Sequence, residues 1–152
     1  MRVSGDGQRV GVIGGVAGIS LSDVNSRTGA LRQVSAFPAS NGAYRNVYSS
    51  FYPGDLAFHP VLGLGVAEEN QQTQTVLHLF SWKALEEKTT FTLSANRTSN
   101  DLNPASGLLT FGARGTKLLY YDRRTGYLRS MPLTLTDKDK EALAKAYSLP
   151  GK

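Results

Sequence analysis

The chain repeats one short template three times: a turn of Gly, Pro, Asn or Asp, an apolar run, then a second apolar run, often closed by an acidic residue and Thr-Gly. The first copy holds Val3-Ser4-Gly5-Asp6-Gly7-Gln8-Arg9-Val10, Ile19-Ser20-Leu21-Ser22-Asp23 and Arg27-Thr28-Gly29. The second holds Leu56-Ala57-Phe58-His59-Pro60, an apolar stretch over 62–67, and Val76-Leu77-His78-Leu79-Phe80-Ser81. The third holds Leu102-Asn103-Pro104-Ala105-Ser106-Gly107-Leu108-Leu109, Lys117-Leu118-Leu119-Tyr120-Tyr121-Asp122 and Arg124-Thr125-Gly126. A repeat constrains architecture before any single residue is interpreted, because each copy must bury its apolar face against the next.

Each copy reads as short strands. Thr75-Val76-Leu77-His78-Leu79 and Thr90-Phe91-Thr92-Leu93 alternate with period two, the mark of a pleated strand. The spacing predicts strands ending at Val3 and over 9–14, 19–24 and 31–37 in the first copy. In the second it predicts 56–58, 62–67, 75–80 and 89–93, with 84–88 as a turn; in the third, 108–111, 117–121 and 128–133. The turn prolines Pro60 and Pro104 lie 44 residues apart. Gly5 and Pro60 lie 55 apart, the excess falling in an insertion over 38–54. Several short strands per period of about 40–45 residues indicate propeller blades. The expected fold is therefore all-β: a partial β-propeller of four-stranded antiparallel blades over 1–37, 55–94 and 102–135.

Past Leu135 the pattern changes. Thr136 and Asp139 have capping-box spacing, and the following residues are rich in Ala, Lys, Glu and Leu, good helix formers. Leu143, Ala146 and Tyr147 make a narrow apolar stripe, and Pro150-Gly151 ends it. A short C-terminal helix and tail over 136–152 is expected, packing on the rim of a sheet.

Composition closes off several classes. There is no cysteine among the 152 residues, which excludes disulfides and thiolate metal sites. No apolar run reaches the roughly 18 residues of a membrane span, and no signal-peptide layout opens the chain; a cytoplasmic location is the expectation. The template is already under way at Met1, so the expectation is a piece of a longer protein. The net charge of +5 admits a nucleic-acid partner, but the arginines are scattered with no run of four basic residues, unlike a phosphate-binding face.

The three copies together resemble WD-repeat β-propeller blades. Val3 to Val10, Ala57-Phe58-His59-Pro60 and Asn103 to Leu109 stand at the family's innermost strand end and its turn. Asp23, Ser81 and Asp122 stand where an acidic residue closes the third strand, and Ser22, Phe80 and Tyr121 where its tryptophan would be. Thr28-Gly29 and Thr125-Gly126 match the turn that follows. The sequence has no Gly-His dipeptide, and Trp82 falls one residue past the expected pair. Such propellers close with more blades than three, since a ring of about four to eight removes long exposed edges. The resemblance implies a propeller segment whose ring is completed by other blades or chains.

Chemical motifs are sparse. Gly15-Val16-Ala17-Gly18 supplies half of a dinucleotide-binding turn, but the alternation after Ile19 gives a strand where that motif opens a helix. His59 and His78 are the two histidines; each reads as structural or solvated, without a third nitrogen or sulfur ligand for zinc. No G-x-S-x-G elbow occurs. Glu68-Glu69 and Glu86-Glu87 are adjacent pairs whose members point to opposite strand faces, so neither pair is expected to converge on a substrate; both read as solvated loop charge.

What remains is a loop surface. Tyr44, Arg45, Tyr48 and Tyr52 in the insertion, with Glu68, Glu69, Arg97 and Arg114 in other loops, form the candidate partner-binding face, Tyr and Arg being common interface anchors. The sequence thus points to a non-catalytic interaction and scaffold module of WD-like blades with no cofactor and no catalytic or metal residues, binding a protein or peptide. The alternatives are a propeller segment of a larger enzyme and a structural subunit of a ribonucleoprotein assembly.

Overall fold

The computed structural model describes residues 1–13, 19–37, 52–70, 74–94, 108–122 and 126–148. Among these residues the alternating segments form eleven strands in three antiparallel sheets. The first sheet has the order β1 (Arg2–Val3), β2 (Arg9–Ile13), β3 (Ile19–Val24), β4 (Leu31–Phe37). The second runs β5 (Tyr52–Phe58), β6 (Leu64–Asn70), β7 (Gln74–Ser81), β8 (Glu86–Ser94). The third runs β9 (Leu108–Gly112), β10 (Lys117–Asp122), β11 (Tyr127–Pro132), three strands among the described residues where four were expected. Each sheet is a simple up-and-down meander, as short turns between antiparallel strands dictate. Helix α1 (Asp137–Tyr147) follows, with the expected capping box between Thr136 and Asp139.

Several boundaries move, three of them at residues the sequence had placed in loops or turns. Residues 52–54, placed in the insertion from sequence, belong to β5, so Tyr52 is a strand residue. β6 continues three residues beyond Ala67, so Glu68 and Glu69 are on a strand and not in a loop. β8 begins at Glu86, because the turn from β7 is confined to 82–85 and Leu85 takes a positive φ of 58°. In each case the backbone hydrogen bonds of a neighbouring strand extend a ladder past the apolar residues that revealed it.

The second sheet is the middle layer, and alternation along its strands divides its side chains between two cores. Leu56, Ala67 and Phe80 face the first sheet, where Leu21 and Val34 meet them together with Trp82. Ala57, Val66, Leu77 and Leu79 face the third sheet, against Leu109, Leu118, Tyr120 and Leu133. Consequently β7 is buried on both faces from Thr75 to Ser81. Strand β5 touches both neighbours, packing on β1 and β2 on one side and β9 on the other.

Close approach of the sheets requires glycine at Gly11, where a Cβ would lie 2.2 Å from Leu56 Cδ2. Its backbone is not in the left-handed region, so any substitution effect there is steric. Gly11→Ala is expected to lower stability in urea denaturation by about 1–3 kcal/mol, the usual overpacking range. Adding Leu56→Ala removes the obstructing atom, so the double variant should lose less than the sum of the two single losses.

Candidate functional site

Two buried polar networks occupy the two faces of the middle sheet. The first begins at Asp55, next to Leu56 on β5. Its Oδ1 accepts the Leu56 N–H at 2.9 Å and Arg2 Nη2 at 3.1 Å, while Oδ2 accepts the Leu109 N–H at 3.0 Å. Arg2 also donates Nε–H to the Leu56 carbonyl at 3.1 Å. Glu68, 1% exposed, accepts the Asp55 N–H at 2.9 Å through Oε2 and the Tyr120 hydroxyl at 2.9 Å through Oε1. One connected set of charged and hydrogen-bonded groups therefore joins β1, β5, β6, β9 and β10. Burial, then the neighbouring Glu68 carboxylate, push the Tyr120 phenol far above its ordinary pKa. It stays protonated and donating, as the buried carboxylate requires.

The second network lies on the opposite face. His78 Nε2 bonds Glu69 Oε2 at 2.6 Å and Nδ1 bonds Glu87 Oε2 at 2.6 Å. Strand parity explains Glu69. It is two residues from Ala67, the register partner of His78, and therefore on the same face. Glu87 arrives by a different route. A β-bulge between Leu79 and Phe80 leaves Lys88 unpaired and sets Glu87 opposite Phe80, on the His78 face. An unbroken ladder would have put Lys88 there. So one carboxylate from each adjacent pair meets His78. The reading of Glu68-Glu69 as solvated loop charge is corrected, since Glu68 is 1% and Glu69 4% exposed on β6; Glu86 and Glu87 are exposed as expected, but on strand β8 and not in a loop. The signal was present: Glu69 and Glu87 lie nine residues before and after His78, a spacing that two hairpins fold onto neighbouring rungs of one face.

Burial alone would lower the His78 pKa, but the bonds from Glu69 and Glu87 outweigh it and raise it. With a carboxylate on each ring nitrogen, the protonated ring satisfies both contacts by donating from both nitrogens, which is why the two carboxylates favour the charged form. His59 behaves oppositely. Its Nδ1 accepts the N–H groups of Val61 at 3.0 Å and Leu62 at 2.9 Å, so Nε2 carries the proton and donates to the Gly115 carbonyl at 2.9 Å. Burial chiefly holds its pKa below the ordinary value, despite the Gly115 bond. This contact ties the β5–β6 turn to the β9–β10 turn.

A cleft of about 700 Å³ opens where the first sheet meets the β7–β8 turn, lined by Asp6, Arg9, Asp23, Trp82 and Lys83. Arg9 pairs with Asp23 and donates to the Trp82 carbonyl. Arg9, then Arg32, hold the Asp23 carboxyl below its usual range. Lys83 Nζ sits 5.3 Å from the Trp82 ring centroid. The cleft's charges are largely matched within it.

Of the sequence-predicted partner-binding residues, Tyr44, Arg45, Tyr48 and Arg97 lie outside the described residues. Tyr52 is on β5, and Glu68 and Glu69 are interior. Arg114 is exposed on the β9–β10 turn. Among the described residues, then, Arg114 lies on an exposed turn while Glu68 and Glu69 lie in the interior. Asp55 and Tyr120 were not singled out as site residues; Asp55 had a weak signal, a lone acid directly before an apolar strand. Among the described residues, no group of three His, Cys, Asp or Glu side chains is placed to hold a metal ion, and no helix is long and apolar enough to cross a membrane.

Comparison with known proteins finds no matching family model, no matching curated protein and no matching solved structure.

The histidines yield opposite pH signatures. A raised folded pKa means that the His78 contribution to stability is fully present below about pH 6.5 and is lost as pH rises through the raised value. A lowered folded pKa means that the His59 contribution is fully present above about 6.5 and is lost as pH falls through the lowered value. Ring-proton NMR titration should place the His78 midpoint above 6.5 and the His59 midpoint below it. In Glu87→Gln, which removes the more exposed carboxylate, the His78 midpoint should fall while His59 stays put.

Proposed function

We propose that this chain is a non-catalytic interaction and scaffold module built of WD-like propeller blades, binding a protein or peptide partner through loops at the sheet ends. The observation that carries the reading is that three antiparallel meanders meet along one strand. β5, the first strand of the middle sheet, lies against β1 and β2, the first two strands of one neighbour, and against β9, the first described strand of the other. Successive blades of a propeller adjoin in this way, inner strand by inner strand.

The chemistry of the buried groups supports the same reading. A nucleophile or general base needs a free lone pair within reach of substrate. Here the His78 nitrogens are each bonded to a carboxylate, the Tyr120 hydroxyl donates to Glu68, and the Asp55 oxygens receive three donors. These groups are bonded to one another and to the backbone, linking strands of all three sheets, which suits a rigid platform.

The experiment is cross-linking mass spectrometry on the full chain in native extract, followed by binding to the purified partner. The expected outcome is a saturable complex with cross-links concentrated in 38–50, 95–107 and the β9–β10 turn. Cross-links confined to β4 or β8, or turnover of a small-molecule substrate by the purified chain, would overturn the reading.

A further inference from the structure

The turn between β9 and β10 is strained in a way the fold does not need. Ala113 and Arg114 have φ of 50° and 56°, followed by Gly115 at 80°. Hairpins with successive left-handed residues favour Asn-Gly there, because a Cβ is disfavoured in that region. Gly115 has a structural reason, since a Cβ would lie 2.3 Å from His59 Nε2. Arg114 has none within the hairpin: its side chain is exposed, and glycine would adopt the same backbone without strain. Strained residues of this kind gather at ligand-contacting positions.

Arg114 stands on the rim of a groove of about 430 Å³ between this turn and α1. The groove is walled by Leu135, Leu143, Ala144 and Tyr147, with Arg114 and Lys140 as its charged lining residues. Leu143 is the one buried residue of α1, so the helix is seated by a single anchor beside the groove. Asp137 pairs with Lys140 at 3.0 Å and Asp139 accepts the Thr136 N–H and hydroxyl in the helix cap, which leaves Arg114 as the rim cation not paired with these acids. An apolar wall with a cationic rim is complementary to an apolar side chain next to a carboxylate, and the volume falls within the range of small ligand sites.

We propose that the groove between α1 and the β9–β10 turn docks an acidic, apolar segment of a partner protein, its aromatic or aliphatic side chain in the groove and the adjoining carboxylate on Arg114. This rests on the reading of the chain as an interaction module and names the chemistry of the partner. Arg114 is placed to form a charge-assisted pair with the carboxylate, while Tyr147 and Leu143 supply apolar contact.

The test uses the full, isotope-labelled chain and two probes with the same apolar body, 4-phenylbutyrate and 4-phenylbutanol, titrated by NMR. Shifts are expected at Arg114, Leu143, Ala144 and Tyr147, with the carboxylate bound about tenfold more tightly than the alcohol. Arg114→Gly relaxes the turn, should be at least as stable as the parent, and should erase the preference; Arg114→Lys should retain part of it. Tyr147→Ala should weaken both probes alike. Equal affinities for the two probes, or shifts centred on the cleft at Trp82, would overturn the docking site. A partner protein bound equally by the parent chain and Arg114→Gly would overturn the docking site and leave the interaction-module reading standing.

Discussion

The hydrogen-bonded set at Asp55 and Glu68 is the constraint on which the arrangement of the three sheets depends. Hydrophobic burial is nondirectional; it would press Leu56, Ala57 and their neighbours inward in several relative placements of the sheets. Charged groups taken out of water tolerate only placements that pair them, because an unpaired buried carboxylate costs several kcal/mol (about 3–5 kcal/mol when a partner is removed). Glu68 is satisfied in part by Asp55 on its own sheet and by Tyr120 on the third, and Asp55 in turn by Arg2 on the first and Leu109 on the third. One geometry satisfies all four contacts. Its contribution is therefore to positional specificity more than to net stability.

The other face of the middle sheet uses the same device within a single sheet. His78 ties β6 to β8 across β7 through Glu69 and Glu87, and the bulge at Lys88 brings the second carboxylate into reach. Adjacent glutamates on β6 thus serve opposite faces, Glu68 toward the third sheet and Glu69 toward His78. Other contacts between sheets involve the backbone: the His59 ring reaches the Gly115 carbonyl, and the glycines at 5 and 11 let the first sheet approach the Pro60 carbonyl and the Leu56 side chain.

Much of the strand pattern could be read from local sequence. β3 and β4 and helix α1 occupy the segments expected, since two-residue alternation and a capping box are local properties. The misreadings share one cause. Glu68 and Glu69 look like loop residues because charge follows an apolar run, and Tyr52 to Gly54 because Pro and Gly usually break strands. Pairing with a neighbour overrode both signals. The pocket of Arg114 was half legible: an arginine in a turn was visible, but the groove exists only because α1 returns to lie beside that turn.

What the sequence by itself determined was the place and order of the described strands, the helix and its cap, and the absence of thiol chemistry. Each follows from periodicity, local hydrogen bonding or composition. What only the tertiary structure decided was which polar residues are interior and with whom they pair. That choice depends on register, and in β8 on a single bulged residue that turns Glu87, not Lys88, toward His78. A one-residue shift exchanges the two faces of a strand, and no property of the isolated segment records which neighbour sets that shift.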